Sequence, residues 1–437
     1  MMSVVLSLSA NAERLRTMKV MKEADFMAPP VIRLGSDERI SVNFDEWSED
    51  YSDLQYRLIH CGPDWKPSGL LESEYLDGFN IADIDDWAFS QNTFVHFVNY
   101  QVMIPNESIN PQLSGNYIMQ VFERDNPDET IGEARFSIAE HSADIIGGIS
   151  SRTDRGLNTE WQQMELTVVP TDAAIDDPYS MLRIDITQNS APYTTSTIRT
   201  PSRLEGKGIV YSHIPQLIFK AGNEFRRFET VRTNYNDMHV DSMRFLSRNY
   251  HAWLTPDSER DSRQYSYDQT QQGRFLVREY NSTDSDLGAD YVTVHFRLDA
   301  PEVVDADVFV EGEFTGWRRD PSTRMTYDYR QGAYLLEMPL KQGSYNYRYV
   351  AVPRHGDRRP DPSVIEGNKH ETRNEYRVQV WYRPVGARYD RLLADKTFLL
   401  QSVAVQHLLL SHSLAVRSSS SYHRSPNRLI RGSLRNS

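Results

Sequence analysis

Apolar and polar residues alternate with a period of two along most of the chain, and Gly, Pro, Asn and Asp interrupt the alternation. The segment 54–61 is an example, because its even-numbered residues fall on one face of an extended strand and its odd-numbered residues on the other. Gly62 and Pro63 then end that strand. Helical periodicity is scarce. The pattern therefore predicts an all-β protein built from short, half-buried strands.

The predicted strands fall into three groups, which we interpret as tandem immunoglobulin-like β-sandwich domains. The N-terminal sandwich spans residues 28–142 and has its strands at 54–61, 94–104, 115–123 and 133–140. A less regular middle β-rich domain spans 143–285, with candidate segments at 162–170, 181–189, 208–229 and 274–281. The C-terminal sandwich spans 286–392 and has its strands at 290–299, 307–317, 332–340, 343–352 and 374–384.

Both ends of the chain depart from this pattern. A short apolar run at residues 4–8 precedes small residues at Ala10 and Ala12, which predicts a truncated signal peptide over residues 1–12; the alternative is an ordinary disordered start. Residues 396–437 contain a serine run and no acidic residue. We expect this tail to be disordered, either as a basic interaction segment or as an aberrant gene end.

Composition and charge narrow the class of protein. The 437 residues are 39% hydrophobic with a mean hydropathy of −0.60, and no apolar run is long enough to cross a bilayer, which predicts no direct membrane insertion. The formal charge is −13. Without the six basic residues of the tail, 42 basic residues remain against 61 acidic ones, so residues 1–395 carry −19. This excess argues against a nucleic-acid partner.

The chain offers little catalytic or metal-binding chemistry. Cys61 is the single cysteine, which excludes an intrachain disulfide, and neighbouring strand residues point apart, so His60 is badly placed to activate it as a nucleophile. Asp83, Asp85 and Asp86 lie in an acidic loop that lacks the glycine and closing glutamate of a calcium site. The sequence predicts no enzyme, no metal and no cofactor, although the paired carboxylates of a hydrolase cannot be located from sequence.

Aromatic residues are concentrated in the segments between predicted strands. Trp65, Tyr75, Phe79 and Trp87 lie in such segments. Each ring either caps a sandwich core or faces a protein partner, and the cluster as a whole favours a protein interface.

Five blocks of sequence resemble the type IX secretion system plug protein. They lie in order between residues 28 and 392, and they read YRLIHCGPDWKPSGLLESEYLDGFN, SQNTFVHFVNYQVMIPN, LSGNYIMQVFE, AGNEFRRFE and WYRPVGARYDRL. The resemblance implies that the His-Cys-x-x-Asp-Trp segment is a structural hallmark without a catalytic role. The candidate interface or structural residues are His60, Cys61, Asp64, Trp65, Tyr75, Phe79, Trp87, Asn92, Asn223, Glu224 and Phe225.

The resemblance also implies a function and a location. It implies a non-enzymatic periplasmic protein, associated with the outer membrane, that docks on the translocon barrel and seals its channel. The protein is then a monomer within a larger complex. One departure is the segment from Ser190 to Tyr193, where the family has an Arg-Trp-Asp type sequence, so any contact of that tryptophan is in doubt.

A second likeness supplies the alternative function. The segments VFVEGEFTGW and GSYNYRYVAV are similar to the early-set domains that include glycogen-binding and starch-binding modules. Trp317 and Asn374 match that pattern, Arg348 stands at the family lysine, and the second stacking tryptophan is missing. An extracytoplasmic glycan-binding protein is therefore the alternative, but we favour shared architecture because a fold does not carry its function along.

Overall fold

The computed structural model describes residues 14–23 and 25–400. Strands account for 49% of it and helices for 6%, so the all-β prediction is confirmed. The predicted signal peptide lies outside the described residues, as does most of the predicted tail. No helix within the described ranges is long and apolar enough to cross a membrane.

The first sandwich is built from strands whose alternate side chains meet between two sheets. Its strands are β1 (Leu15–Lys22), β2 (Val31–Arg33), β3 (Ile40–Glu46), β4 (Leu54–Cys61), β5 (Leu76–Gly78), β6 (Ala82–Asp83), β7 (Asp86–Phe89), β8 (Val98–Ile104), β9 (Ile109–Pro111), β10 (Gly115–Glu123) and β11 (Asn126–Ala139). One sheet has the order β1-β3-β8-β7 and the other β2-β11-β10-β4-β6, with a small β5-β9 pair beside them. In β4, Leu54, Tyr56 and Leu58 are buried and alternate with half-buried residues, as predicted.

The second sandwich is formed by two stretches of chain that are far apart in sequence. The first supplies β12 (Ala143–Ser150), β13 (Arg152–Thr153), β14 (Gly156–Leu157), β15 (Trp161–Pro170), β16 (Leu182–Gln188), β17 (Ser196–Ile198), β18 (Arg203–Glu205), β19 (Gly208–Tyr211) and β20 (Ile218–Lys220). The third sandwich follows, and the chain then returns to the second with its last two strands. The two main sheets have the orders β12-β15-β19-β18, with β20 beside β15, and β17-β16 extended by the returning strands.

The third sandwich lies between those two stretches. Its strands are β21 (Arg226–Glu229), β22 (Val240–Leu246), β23 (Asn249–Leu254), β24 (Asp257–Ser258), β25 (Phe275–Val277), β26 (Tyr291–Asp299), β27 (Ala306–Glu311), β28 (Thr326–Asp328), β29 (Ala333–Lys341) and β30 (Gly343–Pro353). The returning strands are β31 (Glu375–Tyr382) and β32 (Arg391–Leu399). One sheet is β22-β23-β26-β29-β28 with β24 beside β26, and the other is β21-β30-β25 with β27 beside β30.

Helices are short and serve as connections. The α-helices are α1 (Glu72–Tyr75), α2 (Pro178–Met181), α3 (Ser285–Gly288) and α4 (Ser363–Glu366), and the 3₁₀ turns are Pro192–Thr194, Pro215–Leu217 and Glu313–Thr315.

The predicted boundaries of the middle and C-terminal domains are wrong at three places. The third core begins at Phe228, inside the predicted middle domain, rather than near residue 286. The strand predicted at 374–384 belongs to the second sandwich, because β31 pairs with β16 from Leu182↔Tyr382 to Gln188↔Tyr376. β32 continues to Leu399, so the predicted start of the tail at residue 396 falls inside a strand. Alternation predicts a strand but carries no information about which sheet the strand joins.

A buried ion pair joins the first sandwich to the third. Lys341 Nζ lies 2.6 Å from Asp45 Oδ2, and both side chains are 1% exposed. The Tyr291 hydroxyl donates to the same carboxylate oxygen over 2.8 Å, and Thr17 and Tyr291 share a further hydrogen bond. Burial lowers the pKa of Lys341, while the Asp45 carboxylate opposes that shift. The pair therefore carries a large desolvation cost that its partner groups offset.

Ion pairs and a small apolar cluster also join the second sandwich to its neighbours. Arg391 donates two hydrogen bonds, of 2.8 and 2.6 Å, to Glu140 of the first sandwich. Beside them Ala139, Trp381 and Leu392 form a separate buried cluster. On the other side, Arg274 of the third sandwich pairs with Glu375 of β31 at 2.8 Å, with both side chains 8% exposed. Every pair of sandwiches is thus joined by buried or half-buried charges.

A second buried network holds the third sandwich together. Arg226 contacts Asp257 at 2.7 Å and Glu366 at 3.0 Å. The hydroxyls of Tyr347 and Tyr349 each donate to Asp257 Oδ2 over 2.7 Å. Burial alone would raise the pKa of Asp257, but the His239 side chain, the Arg226 charge and the Tyr347 hydroxyl together outweigh burial and hold that pKa at about 2.

We expect the variant Lys341→Ala to lower the free energy of unfolding by roughly 3–5 kcal/mol, because it leaves the Asp45 carboxylate buried without its cation. Urea denaturation followed by tryptophan fluorescence measures this. The control is Lys220→Ala, which removes an ion pair to Asp361 whose side chains are 47% and 37% exposed. That loss should be at most about 1 kcal/mol, and similar shifts for both variants would contradict the prediction.

Acid should destabilise the protein in the range where Asp257 gains a proton. Its folded pKa of about 2 lies below the ordinary value, so its stabilisation is present above about pH 4 and is lost as the pH falls towards 2. Denaturation midpoints measured across this range should fall for the wild type. They should fall less steeply for Asp257→Asn, whereas the exposed control Asp77→Asn should keep the wild-type profile; identical profiles for all three would contradict the assignment.

Candidate functional site

The His-Cys pair at the end of β4 is buried, and its two side chains enter different surroundings. Cys61 is 0% exposed and pairs in register with Asn116. His60 is 2% exposed, and its Nε2 donates to the Ser114 carbonyl over 3.1 Å. A Cβ at Gly115, where φ is +149°, would lie 2.5 Å from that nitrogen. The histidine therefore packs against backbone that only glycine provides.

The environment of Cys61 keeps its thiol protonated. Burial raises the pKa of Cys61 to about 11, and the Arg135 charge opposes this only in part. Burial also lowers the pKa of His60. A protonated thiol is a poor nucleophile, so the geometry and the electrostatics both agree with a structural role for this pair.

The turn at residues 62–66, directly after β4, brings the His-Cys-x-x-Asp-Trp segment into contact with the second sandwich. The Gly62 N–H donates to the Lys66 carbonyl, and the Trp65 N–H donates to the Gly62 carbonyl, each over 3.0 Å. This tight turn holds Trp65 at φ +59°. Asp64 accepts a 2.6 Å hydrogen bond from Arg183 Nη2 of β16. The motif thus forms part of the contact between two sandwiches.

A polar cleft of about 380 Å³ opens beside this contact. It is lined by Gly62, Pro63, Asp64, Lys66, Pro67, Ser68, Ser180, Met181, Arg183, Arg199, Trp381, Arg383, Arg388, Tyr389 and Asp390. Five of these side chains are cationic and two are acidic. The pKa of Asp64 is lowered, first by the Arg183 hydrogen bond, and also by the charges of Lys66 and Arg199. The local potential is therefore positive.

The other predicted residues of the first sandwich differ in exposure. Tyr75 is 5% exposed and donates to the Leu58 carbonyl over 3.0 Å, so it is a core residue. Trp87 is half-buried and stacks on Tyr51 with 4.5 Å between ring centroids. Phe79 is 88% exposed, and Asn92 is exposed at φ +59°. Of this group, Phe79 and Trp87 are available as apolar contacts for a partner.

The predicted residues Asn223, Glu224 and Phe225 are structural. Asn223 Nδ2 donates to the Glu366 carbonyl over 2.8 Å. Glu224 is 2% exposed and accepts hydrogen bonds from the Tyr265 hydroxyl and the Arg373 N–H. Phe225 is also 2% exposed. All three fix the connection between the second and third sandwiches.

The three residues of the alternative glycan platform, Trp317, Arg348 and Asn374, are all buried. Trp317 is only 9% exposed and packs edge-on against Phe225 at 6.3 Å. Arg348 is 4% exposed and is held by a 2.8 Å bond to Glu311. No broad ring face is left open for a sugar at this position.

The segment 190–193, where this sequence departs from the family pattern, helps to bury Trp317 and Arg348. Tyr193 packs against the cluster that contains Trp317, and its hydroxyl donates to Glu311 over 2.6 Å. Asn374 is 2% exposed, and its Nδ2 donates to Gln162 Oε1 and to the Ala221 carbonyl. The three predicted residues therefore do not form one surface.

An exposed aromatic cluster at the joint of the first and third sandwiches was not predicted. Phe94 is 55% exposed, Phe245 is 46% exposed, and their ring centroids are 4.6 Å apart, with Tyr250 beside both. Asp290 fixes the Phe94 loop by accepting its backbone N–H over 2.7 Å. The predicted strand at 94–104 begins only at Val98, which leaves Phe94 in a surface loop. No sequence signal places a hairpin tip of another domain next to it.

Comparisons with known proteins place these features in a family. Residues 15–140 match the family model described as type 9 secretion system plug protein 1st domain. The crystal structure of a hypothetical protein from Parabacteroides merdae is 37% identical, covers 89% of this chain and 97% of its own, and superposes with a TM-score of 0.86.

Two further comparisons add nothing to the assignment. An alkylpurine DNA glycosylase from Pseudomonas fluorescens, bound to DNA, matches 29% of this chain and 30% of its own at 15% identity and a TM-score of 0.17, too low to indicate a shared fold. No curated protein matches the chain.

We expect Cys61 to be inert in the folded protein, because burial keeps it protonated and covered. Labelling with iodoacetamide at mildly alkaline pH should modify less than about a tenth of the native molecules and nearly all urea-unfolded ones. Mass spectrometry measures the fraction. If the native protein were labelled as fast as the urea-unfolded control, the thiol of Cys61 would be accessible and reactive, and the prediction would be wrong.

Proposed function

Because the chain belongs to the type 9 secretion system plug protein family, we propose that it docks on the periplasmic side of the outer-membrane translocon barrel and closes its channel. The family model matches the first sandwich, and the Parabacteroides relative supports the same architecture over 89% of the chain. The observation that carries the proposal is the joining of the three sandwiches by buried contacts. Such contacts favour a single rigid body.

Rigidity matters because of what a plug has to do. A channel wide enough for folded proteins leaks solutes when it is open, and a flexible obstruction would leave gaps. A rigid body can fill an opening through shape complementarity alone, without covalent chemistry. The buried pair of Lys341 with Asp45 and the pair of Arg274 with Glu375 oppose bending at two of the joints.

The aromatic cluster of Phe94, Phe245 and Tyr250 supplies a docking surface. Exposed rings packed together are unusual on a surface that faces only water, and aromatic residues are enriched in protein interfaces. Phe79, at 88% exposure, adds a second apolar contact on the first sandwich. These rings belong to the two sandwiches that the buried Lys341 pair joins, so their spacing is fixed before binding.

Charge contributes to orientation. Residues 1–395 carry a formal charge of −19, so a basic rim on the barrel would attract and orient the body during approach. Binding measured across a salt series tests this part alone. Association that does not change with ionic strength would remove the electrostatic contribution and leave docking by shape.

We expect tagged protein to recover the translocon barrel from outer-membrane extracts, and the double variant Phe94→Ser with Phe245→Ser to recover about tenfold less, because rings at an interface centre carry much of the binding energy. The control is Val304→Ser, which changes an 81% exposed apolar residue of the third sandwich. Quantitative mass spectrometry measures recovery, and melting curves check that each variant folds.

Sealing is tested in cells that lack the protein. Their outer membrane should admit large antibiotics, and the wild-type chain should restore exclusion while the double variant should not. Failure of the wild type to recover the barrel, or unchanged permeability in its absence, would overturn the proposal.

A further inference from the structure

The cleft between the first and second sandwiches has the features of a binding site that the sealing role does not require. Its walls come from three separate segments: the 62–68 turn, the β16 region with Arg199, and the 381–390 loop. A volume of about 380 Å³ is within the range of small-ligand pockets. The site is therefore assembled only when the two sandwiches are in place.

Two cations of the cleft are available to a ligand. Arg183 is committed to Asp64 and Asp185. Lys66 and Arg199 are exposed, and neither has an ion-pair partner within residues 14–23 and 25–400. Both contribute a positive potential at Asp64, which places them around the same point.

Arg383 and Arg388 hold the rim of the cleft. Arg383 contacts Asp390 at 3.2 Å, and Arg388 pairs with Glu74 of the first sandwich. Both arginine side chains are exposed while their acidic partners are half-buried, and ion pairs of exposed arginines are weak and exchange partners readily. A ligand carboxylate can therefore draw on these guanidinium groups as well.

We infer that this cleft binds a carboxylate ligand, with the side chains of Lys66 and Arg199 pairing with its negative charges. Arginine matches the planar geometry of a carboxylate with two parallel hydrogen bonds. The acidic body selects for a short ligand, because a long polyanion would extend over a surface that repels it. The source is either an acidic peptide segment of a partner protein or a free dicarboxylate.

The test uses the full chain and fluorescein-labelled hexapeptides followed by fluorescence anisotropy. An alternating Asp and Glu peptide should bind, and the matched Asn and Gln peptide should bind at least tenfold more weakly. Arg199→Ala and Lys66→Ala should each weaken binding about fivefold, and Arg199→Glu should abolish it. Arg248→Ala, an exposed arginine at a distant hairpin tip, is the matched control and should bind as the wild type.

Further arms separate the two sources of the ligand. Succinate that displaces the peptide at comparable concentration identifies a small dicarboxylate as the ligand. Displacement only by a second acidic peptide identifies a protein segment.

Two results would overturn the inference: inorganic phosphate binding as tightly as either carboxylate, or equal binding of the acidic and amide peptides. If the acidic peptide does not bind but the protein still recovers the translocon barrel, the cleft site is refuted and the plug function stands. If the peptide binds but the barrel is not recovered, the plug function is refuted and the cleft site stands. The two proposals can therefore fail separately.

Discussion

The pairing of β31 with β16 is the constraint on which the architecture depends. It closes the second sandwich with strands that the chain reaches only after the third sandwich is complete. The third sandwich is consequently an insertion, with its two ends fixed in the two sheets of the second sandwich, at β20 and at β31. A domain held by two connections has less freedom to swing than one held by a single linker, and the Arg274 to Glu375 pair lies at one of those connections. Rigidity is thus a consequence of topology before any side chain is considered.

The joints use buried charges where apolar contacts would be more stabilising. A buried ion pair such as Lys341 with Asp45 roughly balances its own desolvation, so its value to stability is small compared with the cost of losing one partner. What such a pair provides is a single orientation, since any other packing of the two sandwiches leaves a charge unpaired. For a body that has to match the shape of an opening, a fixed orientation between units is worth more than additional stability.

Sequence reasoning succeeded where a residue's environment is determined locally. The alternation at Leu54, Tyr56 and Leu58 predicted β4, and the period of two separated His60 from Cys61 correctly. It failed where the environment of a residue depends on segments far away in sequence. The alternation of β31 fits either sandwich equally well, so it does not show which sheet the strand joins. The ring of Trp317 is covered by Phe225 and Tyr193, which are more than 90 residues away in sequence. The cleft was out of reach for the same reason, because its walls come from three separated segments.

Net charge is a poor guide to the surface that a partner meets. The body is strongly acidic, yet the cleft gathers five cations against two carboxylates, and screening confines each surface charge to a radius of roughly 10 Å. A partner within that distance experiences the local sign rather than the total. The aromatic cluster lies at the joint of the first and third sandwiches and the cleft at the joint of the first and second. Both joints share the first sandwich, and the pair of Arg274 with Glu375 joins the second sandwich directly to the third, so a ligand that shifted the second sandwich would act on the docking cluster through both of its neighbours.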